Sequence, residues 1–231
     1  MQWFFLFTVL SQAALAAPSA DDILKKADAI RNPDGDYVMK VDVTSSFDDP
    51  RTFEVYIHGS SRTLVKTLAP ERDKERAMLM VDENMWAYVP NLKRGVRVAL
   101  SQKLTGQAAN GDISRTRWTG DYDVKIESET PENYVLFLQA KKKGLTYEKI
   151  RATIEKKTFR PLTAEYLSLS GKLLKTASFS GYNSIGGNTR PTEIEIKDSV
   201  RTDQKSTLTI KSMDVKPLPV SQFSLERFQG R

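Results

Sequence analysis

His58 is the only histidine in the chain and there is no cysteine, so the side chains that most often do nucleophilic or metal chemistry are nearly absent. No thiol nucleophile, cysteine-rich zinc site or HExxH pair can be built. A Ser-His-Asp arrangement would have to recruit His58, yet no G-x-S-x-G elbow presents a serine. His58 instead shares the polar face of an alternating stretch with Glu54, the ordinary setting of a surface histidine. Neither G-x-G-x-x-G nor the P-loop pattern occurs. Carboxylates recur two apart at Asp121 and Asp123 and at Glu193 and Glu195. On a strand such pairs share one face, usually a solvated one, whereas glycoside hydrolysis needs two carboxylates opposed across a cleft. The expectation is a protein that is not an enzyme and has neither cofactor nor metal.

The residues that stand out are apolar. Three of the six methionines fall in one short stretch as Met78, Met80 and Met85, beside Trp86 and Tyr88. Met78 and Met80 share one side of a strand; Met85 shares a side with Ala87 and Val89, and Trp86 and Tyr88 take the other. Leu136 and Leu138 lie in a second stretch, 134–140, that is apolar on both faces. Unbranched methionine and large aromatics make adaptable apolar walls, as a pocket for a flexible lipid tail requires; they also make a plain core. What favours a pocket is the count of faces, because few helices are available to cover the apolar strand surface. Each methylene placed there gains about 0.8 kcal/mol. Arg94, Arg97 and Arg115 flank these stretches, as a gate or headgroup contact or as solvated charge.

These residues must be positioned by strands. A short helix comes first, with Ser19 and Asp22 spaced as a capping box. Ile23, Leu24, Ala27 and Ile30 lie on its dry side, and Lys25, Lys26 and Asp28 on its wet side. Asn32-Pro33-Asp34-Gly35 ends it. From Tyr37 the period becomes two, and alternating stretches follow to Met213, separated by Asp48-Asp49-Pro50, Gly171, Gly186-Gly187 and Thr202-Asp203. The stretch 134–140 is expected to be central and covered on both sides. Residues 101–118 break the rhythm as a covering loop, with a short helix over 112–118 capped by Asn110. The result is one domain, mainly β, of about eleven antiparallel strands that curl strongly or close.

Residues 1–16 read as a secretory signal peptide. They hold no charged side chain, an apolar run from Trp3 to Leu10 and an exit at Ala14-Leu15-Ala16. The run is well short of the roughly 20 residues of a spanning helix, and without cysteine there is no lipobox. The mature domain, 17–231, is therefore expected to be soluble, exported to the periplasm and not integral to a membrane. Its charge, 35 basic against 29 acidic residues for a net +6, suits a solvated surface or attraction to anionic headgroups. Nucleic acid is not an expected partner.

The run Ala77-Met78-Leu79 with Met85-Trp86-Ala87-Tyr88-Val89-Pro90, then Asn110-Gly111-Asp112-Ile113 and Asp121-Tyr122, resembles the LolA-like outer-membrane lipoprotein-sorting proteins, in a branch distinct from LolA itself. Tyr147, Pro161-Leu162, Gly171-Lys172-Leu173 and Pro191 extend the similarity over nearly the whole mature chain. The resemblance implies an incomplete, half-open β-barrel with helices as a lid over an apolar cavity. It further implies a carrier for acyl chains of lipoproteins or another lipid, with an inner-membrane transporter or exporter complex as the partner and the direction of transfer left open. The alternative it leaves open is an RseB-like regulatory module that docks an envelope protein.

Overall fold

The computed structural model describes residues 17–229; the expected signal peptide, 1–16, lies outside the described residues. Helix α1 (Ala20–Arg31) begins as its sequence predicts. Ser19 Oγ accepts the Asp22 N–H at 3.2 Å and donates to the Asp22 carboxylate at 2.7 Å, and Ile23, Leu24 and Ala27 are buried. Asp28 is buried with them, 1% exposed, not on the wet side, because it serves as an acceptor for a distant segment.

Six strands follow: β1 (Tyr37–Ser45), β2 (Arg51–His58), β3 (Arg62–Ala69), β4 (Ala77–Val81), β5 (Asn84–Val89) and β6 (Arg94–Val98). A ribbon of β7 (Lys103–Thr105) and β8 (Ala108–Ala109) leads into α2 (Asn110–Ser114). The chain then returns through β9 (Tyr122–Glu129), β10 (Asn133–Ala140), β11 (Lys149–Glu155), β12 (Pro161–Leu167), β13 (Leu173–Ile185), β14 (Asn188–Asp198) and β15 (Lys205–Val215), and ends in α3 (Leu225–Gln229). The order across the sheet is β6-β5-β4-β3-β2-β1-β15-β14-β13-β12-β11-β10-β9, antiparallel throughout. Thirteen strands thus form one sheet where about eleven were expected. The strand of this sheet with no expected counterpart is β9, exposed and charged along most of its length; β7 and β8, in the stretch expected as loop, form a separate two-stranded sheet.

Adjacent strands rotate by roughly 20–25°, so thirteen of them coil the sheet on itself. The measure of that coiling is Lys142, in the turn after β10, which pairs with Glu83 in the β4–β5 turn. The two halves face each other, but the edges β6 and β9 do not pair with one another, leaving a barrel that is open along one side.

The larger core fills the concave face. Leu136, Leu138, Ile150, Ala152, Ile154 and Val55 are all fully buried there, and each leucine contributes about 1.5–3 kcal/mol relative to exposure. A second cluster lies on the convex face, where Leu218, Phe223 and Phe228 of the C-terminal segment cover Leu64, Leu79 and Tyr88. Strand β10 is not central as its apolar sequence suggested; it is the last but one. Its outer face is covered by a neighbour's side chain instead of another layer: Lys125 of β9 lies 5.3 Å from the Phe137 ring. Long lysine stems cover apolar surface while the ammonium stays wet.

Candidate functional site

The site is built on the concave face by β1 and β13–β15, with 110–122 laid across it. Period-two positions point Tyr37, Met39 and Val41 inward from β1, Phe179 from β13, Ile194 and Ile196 from β14, and Leu208 and Ile210 from β15, all of them lining one cleft. Trp118, Tyr122, Tyr147 and Tyr166 complete its aromatic side. Tyr147 stacks on Tyr166 at 3.8 Å, and Trp118 meets Phe179 edge-on at 6.2 Å. The cleft encloses about 900 Å³, including the part open to solvent, but the free space within it is only about 70 Å³. As the lid lies now, there is room for a few waters and not for an extended acyl chain.

The lid is tied down by polar contacts at each step. Asp28 of α1 accepts the N–H groups of Trp118 at 2.9 Å and Thr119 at 2.6 Å, and the Thr119 hydroxyl at 2.7 Å. Arg31 donates to the Thr116 carbonyl at 2.7 Å and lies 3.8 Å from the Trp118 ring. Arg115 holds Asp121 through two parallel hydrogen bonds, 2.5 and 2.7 Å, and reaches the Asp82 carbonyl at 2.7 Å. The Asp121 carboxylate raises the Arg115 pKa above its ordinary value, which fixes the guanidinium as a cation. Thr63 Oγ1 donates to the Ser114 carbonyl at 2.7 Å. Arg190 holds the same C-terminal end of α1 by donating to the Ala29 and Ile30 carbonyls, where a cation meets the negative end of the helix dipole.

Helix α2 is shorter than expected. It starts at Asn110 after Ala109, and Asp112 does the capping: its carboxylate accepts the Ala109 N–H at 2.7 Å. Asn110 donates instead to the Ala99 carbonyl at 2.9 Å. Asp112 also accepts from the Tyr147 hydroxyl at 3.0 Å. Burial raises the Asp112 pKa, and it raises that of Tyr147 well above the usual phenol. Beside the apolar cleft lies a polar one lined by Gly59, Ser60, Ser61, Asp82, Glu83, Thr119 and Gly120; the two share Tyr37, Arg115, Thr116, Arg117 and Asp121.

The structure separates the residues singled out in the sequence. Met78, Met80, Met85, Leu136 and Leu138 are buried in the concave core, packed beyond the walls of the cleft. Trp86 and Tyr88 lie on the opposite, convex face among the residues under the C-terminal segment, since successive strand residues point to opposite faces. They cannot share a surface with the methionines. Arg97 donates to Asn84 and sits 6.0 Å from the Trp86 ring; with the exposed Arg94 it belongs to the outer edge strand. Arg115 alone of the three arginines lines the cleft. Sequence reasoning missed Arg31 and Asp28 because a helix stripe does not reveal which loop will cross it. The inward residues of β1, β14 and β15 were visible as alternation but carried no unusual composition.

His58 is paired by Asp36 at 2.7 Å, not by Glu54, whose carboxylate takes the Tyr56 hydroxyl. Glu195 is held by Lys197 and Lys205, and Asp121 by Arg115, so at least one carboxylate of each candidate pair is committed to ion pairs. Among the described residues no group of three or more histidines, aspartates or glutamates is placed to hold a metal ion, and no helix is long and apolar enough to cross a membrane.

A half-open antiparallel barrel with an apolar cleft beneath a tied lid defines the class: a β-sheet scaffold with an internal apolar cleft. The chain belongs to the LolA superfamily. A crystal structure of a LolA superfamily protein from Nitrosomonas europaea is 34% identical and superposes with a TM-score of 0.85, covering 91% of this chain and 100% of that one. An outer membrane lipoprotein-sorting protein domain from Vibrio parahaemolyticus (20% identity, TM-score 0.75, coverage 92% and 98%) shares the fold. So does a DUF1329 family protein from Desulfovibrio piger (18% identity, TM-score 0.75, coverage 90% and 97%). A family model described as that of an uncharacterized protein matches residues 59–229. No curated protein matches the chain.

Proposed function

We propose that this protein is a soluble periplasmic carrier of an amphiphile, a lipoprotein's acyl chains or another lipid, received from a membrane complex and passed on. The observation that supports it is the pairing of two contiguous clefts. One is walled by aliphatic and aromatic side chains, the other by hydroxyls, carboxylates and arginines, and they meet at Arg115, Thr116, Arg117 and Asp121. Tail and head of an amphiphile divide between such surfaces, each avoiding the desolvation or exposure penalty of the wrong one. In this reading the present arrangement is the closed, unloaded one. The ligand enters when 110–122 lifts, because the hydrogen bonds that hold this short segment, buried in the closed state, each exchange for water at a net cost of about 0.5–1.5 kcal/mol, more for those to charged groups, whereas opening the thirteen-stranded ladder would break many more at once.

The test is mass spectrometry of lipids extracted from natively purified mature protein, with displacement of a fluorescent acyl probe. Ile194→Trp, at a half-buried cleft position on β14, fills the cleft and is expected to reduce probe binding by about tenfold, as loss of one or two buried methylene contacts would. Absence of both extractable lipid and displaceable probe rejects the carrier. Stable capture of an envelope protein by lipid-free protein would instead favour a regulatory module.

A further inference from the structure

Of the eight large apolar side chains exposed among the described residues, Phe47, Leu169, Leu174 and Val200 lie on one rim of the sheet. They stand 41%, 67%, 39% and 74% exposed. The rim is continuous. Ser46 Oγ in the β1–β2 turn donates to the Asp203 carbonyl in the β14–β15 turn at 3.1 Å. Ser199, in that same turn, bonds the Leu174 carbonyl through its N–H at 3.1 Å and the Leu173 carbonyl through its hydroxyl at 2.8 Å. Leu169 is in the adjoining β12–β13 turn. At the opposite ends of these strands the turns read Gly59-Ser60-Ser61 and Gly186-Gly187, the turn at 156–160 buries most of Phe159, and Val215 at the end of β15 is the exposed apolar residue there.

Each apolar tip has a cation beside it. Lys103 Nζ lies 5.1 Å from the Phe47 ring centre, Lys149 Nζ donates to the Leu169 carbonyl at 2.7 Å, Lys172 is exposed three residues after Leu169, and Arg201 follows Val200 with its side chain 64% exposed. The rim carboxylates are mostly committed within the fold. Asp48 is taken by Lys103 and the Gly106 N–H, Asp49 by Arg72, and Asp198 by the Val200 and Arg201 N–H groups; Asp203 is exposed.

We propose that the rim formed by turns 46–50, 168–172 and 199–204 docks the protein on an anionic lipid bilayer. Single apolar side chains at turn tips, spaced by strands and each beside a lysine or arginine, suit insertion between headgroups, with the cations remaining at phosphate level. A protein partner would be matched by one contiguous, well-packed apolar patch with a polar border, which separated tips do not offer. The proposal stands independently of the cargo: none of the three turns lines the apolar cleft.

The experiment is co-sedimentation of the mature chain with vesicles of phosphatidylglycerol and phosphatidylethanolamine, against phosphatidylcholine alone, at low and high salt. The native protein is expected to pellet with the anionic vesicles and to be released by salt. Leu169→Ser with Val200→Ser is expected to lower the partition by about tenfold or more with an unchanged melting temperature, since both side chains are exposed. Phe47→Trp is expected to shift its emission to the blue on adding anionic vesicles. Native protein that stays in the supernatant, or a double serine variant that partitions like it, overturns the proposal. So does a double variant that keeps vesicle binding but loses capture of an envelope protein, which would make the rim a protein interface.

Discussion

Asp112 shows how a single carboxyl can carry a pH signature. Burial raises its pKa, so the folded chain holds a proton that the unfolded chain has released once pH exceeds about 3.9. With more protons bound in the native state, this residue's contribution to stability falls as pH rises from there through its raised folded value. Asp112→Asn abolishes the titration while its amide oxygen still accepts the Ala109 N–H. The variant is therefore expected to gain stability relative to the native chain as pH rises above about 4. Urea midpoints across that range measure it; parallel curves would show that Asp112 is not the group responsible. Asp36 works in the opposite sense. Burial would raise its pKa, but the Leu218 N–H, His58 and the Gly59 N–H together hold it below the usual carboxylate value. Its stabilisation is present above about pH 3.9 and is lost as acid protonates it.

At the scale of elements, two short segments close the two faces of the sheet, and each has a point of failure. Helix α2 sits so close to the 141–148 turn that a Cβ on Gly111 would lie 1.8 Å from Thr146 Oγ1 and 2.9 Å from Thr146 Cβ. Gly111→Ala is thus expected to lift α2 and to cost about 1–3 kcal/mol, as overpacking does, with faster hydrogen exchange confined to 110–122. On the convex face the C-terminal segment is anchored by the Leu218 N–H to Asp36 bond, 2.9 Å, and by Phe223, which is 2% exposed and 5.7 Å from His58. Phe223→Ala should cost about 3–5 kcal/mol. Asp36→Ala should cost about 1–3 kcal/mol by leaving two N–H groups without their acceptor. In both variants, proteolysis should begin after Val215 and not within the sheet.

For the whole molecule, the decisive property is that the sheet coils without closing. Edge strand β9 carries Asp123, Lys125, Glu127 and Glu129, and edge strand β6 carries Arg94 and Arg97. Charges of this kind discourage pairing with another chain's edge. An unclosed barrel can widen by small rotations between strands, so accommodation of a guest does not require breaking the ladder. A ligand that binds only the folded chain stabilises it by about 2.7 kcal/mol at a hundred times its dissociation constant. Delipidated protein is accordingly expected to melt several degrees lower than protein reloaded with its extracted lipid, by calorimetry. Equal melting temperatures would count against a cleft ligand.

The alternation from Tyr37 to Val43 and from Ile150 to Ile154, the Ser19 cap and the turn residues determined the mainly β architecture, because strand period and capping are local and each residue needs only its neighbours to be read. The run from Ala77 to Pro90 also carried the family likeness. What tertiary structure alone decided was which apolar residues face the cleft. Met80 and Trp86 are close in sequence and alike in character, yet pleating sends them to opposite faces, and the final strands and C-terminal segment determine what covers each. Asp28 looked solvent-facing until a segment ninety residues later brought it the N–H groups of Trp118 and Thr119. The bonds that hold the lid link residues far apart in the chain, so no spacing pattern along the sequence encodes them.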